Sequence, residues 1–477
     1  MFDPWRTSAV ALDIIAASRG SREALRRRQS QRLAALLASA ARRSPLYRQL
    51  LSGHDPATTP LQALPPMLKA DLMTRFDEWV ADPRVTLDAL RAFVAEPACI
   101  GRPGPAGCTV WESSGSTGEP GLFVQDAQAM AVYDALEAWR RPLSRWWNPL
   151  LLGERIAFVG ATNGHFASTV SVERLRRSAF GVASALRGFS FLQPASALAA
   201  QLESYLPTVI ATYPTAALML AEEAAAGRLR IAPQEIWTGG EPITPAMRRV
   251  VSAQFRCPVT NSYGASEFLA LASECPMRRL HLNIDWAILE SVDERGRPVP
   301  DGVLGDATLL TNLANHVQPL IRYRLGDRIT MHARPCPCGS PLPALQVQGR
   351  TDDSLLLRDD ADRAVRLVPL ALTTVLEEDA GVFDFQLVQR GPRALSLHVA
   401  EAGAAGEQAA RRARDALAGW LRVQGLPHVR LDVRCGIRAD LGRSGKSIRV
   451  VARPEPADAA DPFNPPAADH AHSVAAH

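Results

Sequence analysis

Between Glu112 and Gly121 the chain reads Glu-Ser-Ser-Gly-Ser-Thr-Gly-Glu-Pro-Gly, just after Trp111 and the strand-forming run Cys108-Thr109-Val110. Gly115, Gly118 and Gly121 free the backbone from Cβ restrictions, so successive N–H groups can turn toward one anion. Ser113, Ser114, Ser116 and Thr117 add short hydroxyl donors within reach of phosphate oxygens. No Gly-Lys-Ser/Thr closes the stretch, so it is not a Walker A loop, and no dinucleotide fingerprint fits it. The residue types fit a phosphate-holding loop and a polar, flexible surface loop equally.

A second set has the chemistry of a metal site. Cys275 is followed by His281, and Cys336-Pro337-Cys338-Gly339 offers two thiols on one turn. Three thiolates and one imidazole fill a tetrahedral Zn²⁺ shell and leave no open position, which is the composition of a structural site. Pro335, Pro337 and Gly339 suit a tight knuckle. The Cys-x-Cys spacing departs from the common Cys-x2-Cys form. His316 and His332 are alternative ligands, and two unrelated loops with incidental cysteines are the other reading. Cys99, Cys108, Cys257 and Cys435 read as buried thiols.

These residues need elements to hold them. Residues 1–50 read as helical, interrupted at Ser44-Pro45, and Leu64-Pro-Pro-Met-Leu-Lys69 is a turn entering a further helix. A helix over 126–147 follows the glycine loop. The middle of the chain alternates: strands at Arg155–Gly160, Thr208–Ala211, Glu235–Thr238 and Pro258–Ser262, helices at 214–226 and 244–255. Strand–helix alternation with glycine at strand ends predicts an α/β fold, its large N-terminal domain built on parallel sheets with ligand groups beyond the strand C-termini. Short strands with Asp/Gly turns from residue 283 predict a smaller β subregion. Gly349–Asp353 reads as a hinge-like turn before a small, mobile α+β C-terminal domain. The expected boundaries are 1–349, 350–453 and a disordered tail at 454–477.

The chain has 477 residues, 47% hydrophobic and 21% charged, with a net charge of +4. That slight charge gives no reason to expect nucleic acid, and no apolar run approaches a membrane span. The arginine-rich stretch Arg22–Arg43 alternates with leucines, which predicts an amphipathic helix with a solvated basic face. Seven cysteines without disulfide-scaffold density suit a reducing cytoplasm. The expected assembly is a monomer or homodimer.

Several motifs in one fixed order resemble the adenylate-forming (acyl-CoA synthetase) superfamily, and within it the phenylacetate-CoA ligases. Ser113–Gly121 is similar to the family's pyrophosphate-cradling loop, Tyr263-Gly264-Ala265-Ser266-Glu267 to its aromatic-Gly-x-Ser/Thr-Glu motif, and Tyr323-Arg324-Leu325-Gly326-Asp327 to its Tyr-Arg-x-Gly-Asp. Gly349-Arg350-Thr351-Asp352 resembles the hinge, and Gly442–Lys446 the C-terminal Gly-Lys motif. Ser44-Pro-Leu-Tyr47 and Leu-Pro-Pro-Met-Leu-Lys69 fit the phenylacetate-ligase branch. The likeness runs over roughly residues 30–450, and five motifs in order make coincidence improbable.

The resemblance implies ATP-dependent activation of a small carboxylic acid, an aromatic one by preference, as an acyl-adenylate with release of pyrophosphate. It implies that Gly118 and its neighbours hold the departing phosphates, that Glu267 ligates Mg²⁺, and that Tyr263 stacks on adenine beside Gly264, Ala265 and Ser266. Asp327 takes the ribose hydroxyls, Arg350 a phosphate, and Lys446 bridges carboxylate and α-phosphate. The C-terminal domain would swing about Asp352 to admit coenzyme A, or else a carrier-protein thiol or an amine. A nucleotide-binding regulatory protein is the non-catalytic alternative. Glu241 lines the adenine pocket or caps the helix near Thr244. Trp139, Asn163–Phe166 with His165, Tyr213, Trp237 and Ala265 are candidates for the acid pocket. Similar Cys/His sets occur in some relatives. One departure stands out: after the hinge the family usually has an Arg-Gly turn, whereas this chain reads Leu357-Arg-Asp-Asp-Ala-Asp-Arg363. Adenylation survives such a change more easily than thioester formation.

Overall fold

The computed structural model describes residues 4–113, 121–141, 153–178, 184–348, 354–382, 384–437 and 449–452. Candidate residues Ser114, Gly115, Ser116, Thr117, Gly118, Arg350, Asp352 and Lys446 lie outside them, as do Trp146, Trp147 and the tail.

A hairpin of β1 (Thr109–Glu112) and β2 (Leu122–Gln125) brackets the glycine loop. Behind it stands a nine-stranded sheet. Its parallel half is β3 (Ile156–Gly160), β4 (Leu186–Ser190), β5 (Val209–Thr212), β6 (Glu235–Gly239) and β7 (Val259–Ala265). Chain reversal then adds β8 (Phe268–Glu274) and β9 (Leu280–Leu282) antiparallel. Parallel neighbours need crossover connections. Helices Ala195–Tyr205, Pro214–Ala225 and Pro245–Phe255 supply them in the stretches whose apolar period switches from two to about 3.6. Buried residues of these strands and helices, among them Val159, Ile210, Leu220, Ile236 and Val251, share one core.

The β subregion differs from expectation in how it attaches. β10 (Ala287–Val292), β11 (Ala307–Asn312) and β12 (Tyr323–Leu325) form their own three-stranded sheet, while β13 (Arg328–Met331) and β14 (Ala344–Gln348) extend the edge of the large one. The full order there is β13-β14-β9-β8-β7-β6-β5-β3-β4.

The basic face of Arg22–Arg43 is not simply solvated. Ser21 caps the helix by accepting from Ala24 N at 3.1 Å. Arg28 and Arg32 pair with Asp13, and the Arg32 guanidinium lies 3.5 Å from the Trp286 ring centroid. Arg140, closing helix Ala127–Arg140, meets buried Asp285 through two contacts of 2.6 Å. Ser44 both ends the arginine-rich helix and caps the next one, accepting from Tyr47 N at 3.3 Å, as its Ser-Pro sequence predicts.

Downstream, β15 (Leu355–Arg358) pairs with β16 (Ala364–Leu367). A four-stranded sheet orders β19 (Arg430–Cys435), β18 (Ala394–Val399), β17 (Phe385–Gly391) and β20 (Val450–Val451). Helix Gly403–Val423 buries Ala409, Ala413, Leu417 and Leu421 in the same core as Leu387, Leu397 and Val450. This part touches the surroundings of the large sheet through Arg366–Glu222, on helix Pro214–Ala225, at 2.8 Å and through Trp420 Nε1 and Gln424 Nε2, both donating to Leu192 O in the loop after β4 at 2.8 Å.

Candidate active site and thiol cluster

At the base of the glycine loop, Ser113 N donates to Gly121 O and Gly121 N donates to Ser113 Oγ, both at 2.8 Å. These two bonds close the loop's stem. A Cβ on Gly121 would lie 3.2 Å from both Lys69 Cδ and Ser113 Oγ, so the Lys69 side chain runs against the stem. Lys69 was not singled out in the sequence as a site residue. Its signal was present only as the final residue of Leu-Pro-Pro-Met-Leu-Lys.

The end of β7 and its turn into β8 carry Tyr263–Glu267. Gly264 sits in a register shift there, and a Cβ would come within 1.9 Å of Leu269 O, so only glycine fits. Two backbone anchors hold the turn: Trp111 Nε1 donates to Ser266 O at 2.8 Å, and Asn312 Nδ2 to Glu267 O at 2.9 Å. Tyr263 donates its hydroxyl to Asp327 Oδ2 at 3.2 Å. Burial pushes the Glu267 carboxyl above the ordinary range; Asp327 adds to this, while the Tyr323 hydroxyl bond and the Lys69 charge oppose it. Burial likewise holds Tyr263 and Tyr323 in the phenol form.

Glu241 follows Gly240, whose left-handed φ of +79° lets the strand end curl over the Tyr213 ring. Its Oε2 accepts from Thr215 N at 3.1 Å and Oγ1 at 2.7 Å. It therefore caps helix Pro214–Ala225, whereas the helix at Thr244 is capped by Thr244 itself. Glu241 also lines the main cavity.

That cavity, about 1620 Å³, gathers Ser113, Glu241, Tyr263, Gly264, Ala265, Ser266, Glu267 and Asp327. At one end it is walled by Phe158, Phe166, Tyr213 and Trp237, with Arg141 stacked 4.9 Å from the Trp237 ring. Of the acid-pocket candidates, Trp139, Asn163, Gly164 and His165 fall outside its lining. Trp139 is 38% exposed on its helix. His165 is buried beside Phe93, with Nε2 3.2 Å from Glu96 O. Its carbonyl accepts from Glu112 N at 2.8 Å, so it braces β1 from behind.

The acidic stretch after the hinge makes a turn without glycine. Asp359 Oδ1 accepts from Ala361 N at 3.0 Å and Arg363 N at 2.8 Å, and Asp362 takes the left-handed conformation at φ +59°. Aspartate tolerates that region better than most side chains, so the turn forms without glycine. Just above the cavity, buried Arg449 pairs with Glu377 and anchors β20, three residues after Lys446.

Cys275, His281, Cys336 and Cys338 come together: their four ligand atoms lie within 4.8 Å of one another. Cys275 leaves the end of β8, His281 sits in β9, and the two remaining cysteines lie between β13 and β14, which pairs with β9 at Ala344↔His281. The sulfurs of Cys275 and Cys336 are 3.8 Å apart, and Cys338 Sγ is 3.4 Å from His281 Nε2. His281 Nδ1 donates to Leu342 O at 2.7 Å, which turns the Nε2 lone pair toward the sulfurs. His316 and His332 are not members of this group. Cys108 and Cys257 are buried, whereas Cys99 and Cys435 are only half-buried.

Residues 105–308 match the AMP-binding enzyme family. Phenylacetate-coenzyme A ligase of Thermus thermophilus is 27% identical over 373 residues, covering 74% of this chain and 76% of that protein. Phenylacetate-coenzyme A ligase of Aromatoleum evansii is 32% identical over 125 residues, 25% of this chain and 28% of that one. The crystal structure of a 2-hydroxyisobutyryl-CoA ligase in complex with 2-HIB-AMP and CoA superposes with a TM-score of 0.56 at 20% identity, covering 89% of this chain and 88% of the other. Among the described residues no helix is long and apolar enough to cross a membrane. Over these stretches the chain is similar to AMP-binding enzymes and to phenylacetate-coenzyme A ligases, and it shares the fold of the 2-hydroxyisobutyryl-CoA ligase.

Proposed function

We propose that the protein activates a carboxylic acid with ATP, forming an acyl-adenylate and pyrophosphate, and then passes the acyl group to the thiol of coenzyme A. The observation that carries this reading is the convergence of Tyr263, Glu267, Asp327 and the Ser113–Gly121 stem on one cavity with an aromatic-walled end. Asp327 has carboxylate lone pairs left for ribose hydroxyls after accepting from Tyr263. Lys69, lying against the loop stem, would supply positive charge to the departing β- and γ-phosphates. Glu267, half-buried on the cavity wall, would offer its carboxylate oxygens to Mg²⁺ shared with phosphate oxygens; the ion would neutralise charge on the departing group. Lys446, Arg350 and Asp352 keep the roles their motifs imply: bridging the reacting groups, pairing with phosphate and acting as hinge. Aryl acids fit the aromatic end.

A structural Zn²⁺ on Cys275, His281, Cys336 and Cys338 belongs to the same proposal. It is supported by the clustering of the four ligand atoms and by the second bond of His281 to Leu342 O.

ATP–pyrophosphate exchange over a panel of aryl and aliphatic acids tests the activity. At least one acid should support exchange, and Lys446→Ala should reduce it by orders of magnitude. Silence with every acid sinks the proposal.

A further inference from the structure

The cavity continues past the adenylation motifs to a basic end that the first half-reaction does not use. The turn between β8 and β9 is closed by Arg278 N donating to Cys275 O at 2.8 Å and by Cys275 N donating to Arg279 O at 2.9 Å. It presents Met277, Arg278 and Arg279 to the cavity, which Arg324 and His332 also line. Met277 is 55% exposed, and Arg278 is exposed as well. Arginines elsewhere in the fold, such as Arg140, Arg248, Arg322 and Arg449, hold carboxylates. Among the described residues Arg278 and Arg279 form no such ion pair. Glu274 feels the field of Arg278 but is bonded to Arg248 at 2.7 Å, and the field of Arg279 reaches His281 and Cys336.

Distance decides what this charge can serve. Glu267 precedes β8 and Arg278 follows it, and seven extended residues span about 20 Å at about 3.4 Å per residue. A nucleotide on Tyr263 and Asp327, its phosphates at Glu267 and the glycine loop, points its charged tail away from Arg278. The basic end therefore suits a second, long, anionic molecule whose reactive group reaches the adenylate while its phosphates stay behind. Coenzyme A has that layout, its thiol separated from its phosphates by the extended pantetheine arm.

We propose that Arg278, with Arg279 beside it, is the anchoring site for the phosphates of coenzyme A, set on the turn that the thiol cluster braces. This rests on the acid-activation reading above. Paired guanidinium donors match phosphate oxygens, and the neighbouring Glu274 carboxylate is already bonded to Arg248.

The test uses the full-length protein and an acid that supports ATP–pyrophosphate exchange, with coenzyme A, 3′-dephospho-coenzyme A and pantetheine as acceptors. Arg278 has a left-handed φ of +58°, so Arg278→Gly removes the side chain without backbone cost; Arg278→Lys and Arg279→Gln complete the set. Each charge removed should raise the KM for coenzyme A about tenfold with kcat little changed. The KM for pantetheine should stay the same, and Arg278→Lys should recover most of the loss. Direct binding of coenzyme A should weaken in parallel and fall with added salt. An unchanged KM for coenzyme A in Arg278→Gly and Arg279→Gln overturns the inference, as does an equal rise for pantetheine or for ATP. If the wild type supports exchange yet makes no thioester, this inference fails and acid activation stands; if no acid supports exchange, both fall.

Discussion

The Tyr263 hydroxyl donates to Oδ2 of Asp327 at 3.2 Å, joining two motifs that lie 64 residues apart. One comes from the large sheet and the other from the loop after β12, so this bond fixes the spacing between them. Tyr263→Phe removes a donor from a carboxylate that has to remain charged. The KM for ATP should rise about fivefold, the equivalent of about 1 kcal/mol, with a smaller change in kcat. Exchange kinetics at varied ATP measure it, and an unaltered KM would show that Asp327 does not need the bond.

Glu112 leads into the glycine loop, and burial together with the charges of Glu378 and Glu377 pushes it up to about 7. Glu378, although its side chain is exposed, is also pushed up to about 7, by partial desolvation and by Glu377 and Asp379. Both groups hold a proton in the folded protein at pH values where an unfolded carboxyl, with a pKa of about 4.3, has lost it. Their contribution is therefore fully present below about pH 4.3 and is lost as pH rises toward 7. Glu112→Gln should melt close to the wild type at pH 5 and above it at pH 8. Thermal scans at the two pH values check this; a gap of the same size at both would refute the titration.

Arg140 is 3% exposed and Asp285 0%, with two contacts of 2.6 Å between them. Asp285→Ala leaves the guanidinium buried with Asn283 as its remaining side-chain acceptor from that loop, at 2.9 Å. Removing one partner of such a pair costs about 3–5 kcal/mol. Denaturant unfolding should show a midpoint shift of that order, and a loss below about 1 kcal/mol would mean that water or a neighbour replaces the carboxylate.

Metal analysis of purified protein should find about one zinc per chain, and Cys338→Ser should lose it together with several degrees of melting temperature. Chelation should reproduce that loss. Metal-free protein of undiminished stability would remove zinc from the proposal.

Much of this site was legible because its residue types are constrained locally. Gly264 is demanded by a Leu269 carbonyl a few residues away, and the crossover helices announce themselves by apolar period. Cys275 and His281, or Cys336 and Cys338, could be seen as pairs by spacing, but their meeting depends on β9 lying beside β14, a register no short window contains. The same limit hid Lys69, whose position on the loop stem is set by chain about fifty residues downstream. Of the two readings of Glu241, a pocket-lining residue or a cap for the helix that follows it, the second fails because its carboxylate reaches the preceding helix at Thr215, while it does line the cavity. The arginine-rich helix looked solvated because Asp13 and Trp286, which take its charges, come from other elements.

β8 is in effect a ruler. Its first end carries the turn with Glu267 and its last end leads into the turn of Cys275 and Arg278. Because strand side chains alternate, deleting a single residue from it would send every later side chain to the opposite face. The two ends of the cavity can therefore be moved apart or together only in two-residue steps of about 7 Å. A relative that handles a longer or shorter acceptor at this site should differ by an even number of residues in this strand, or should relocate its basic turn to another edge.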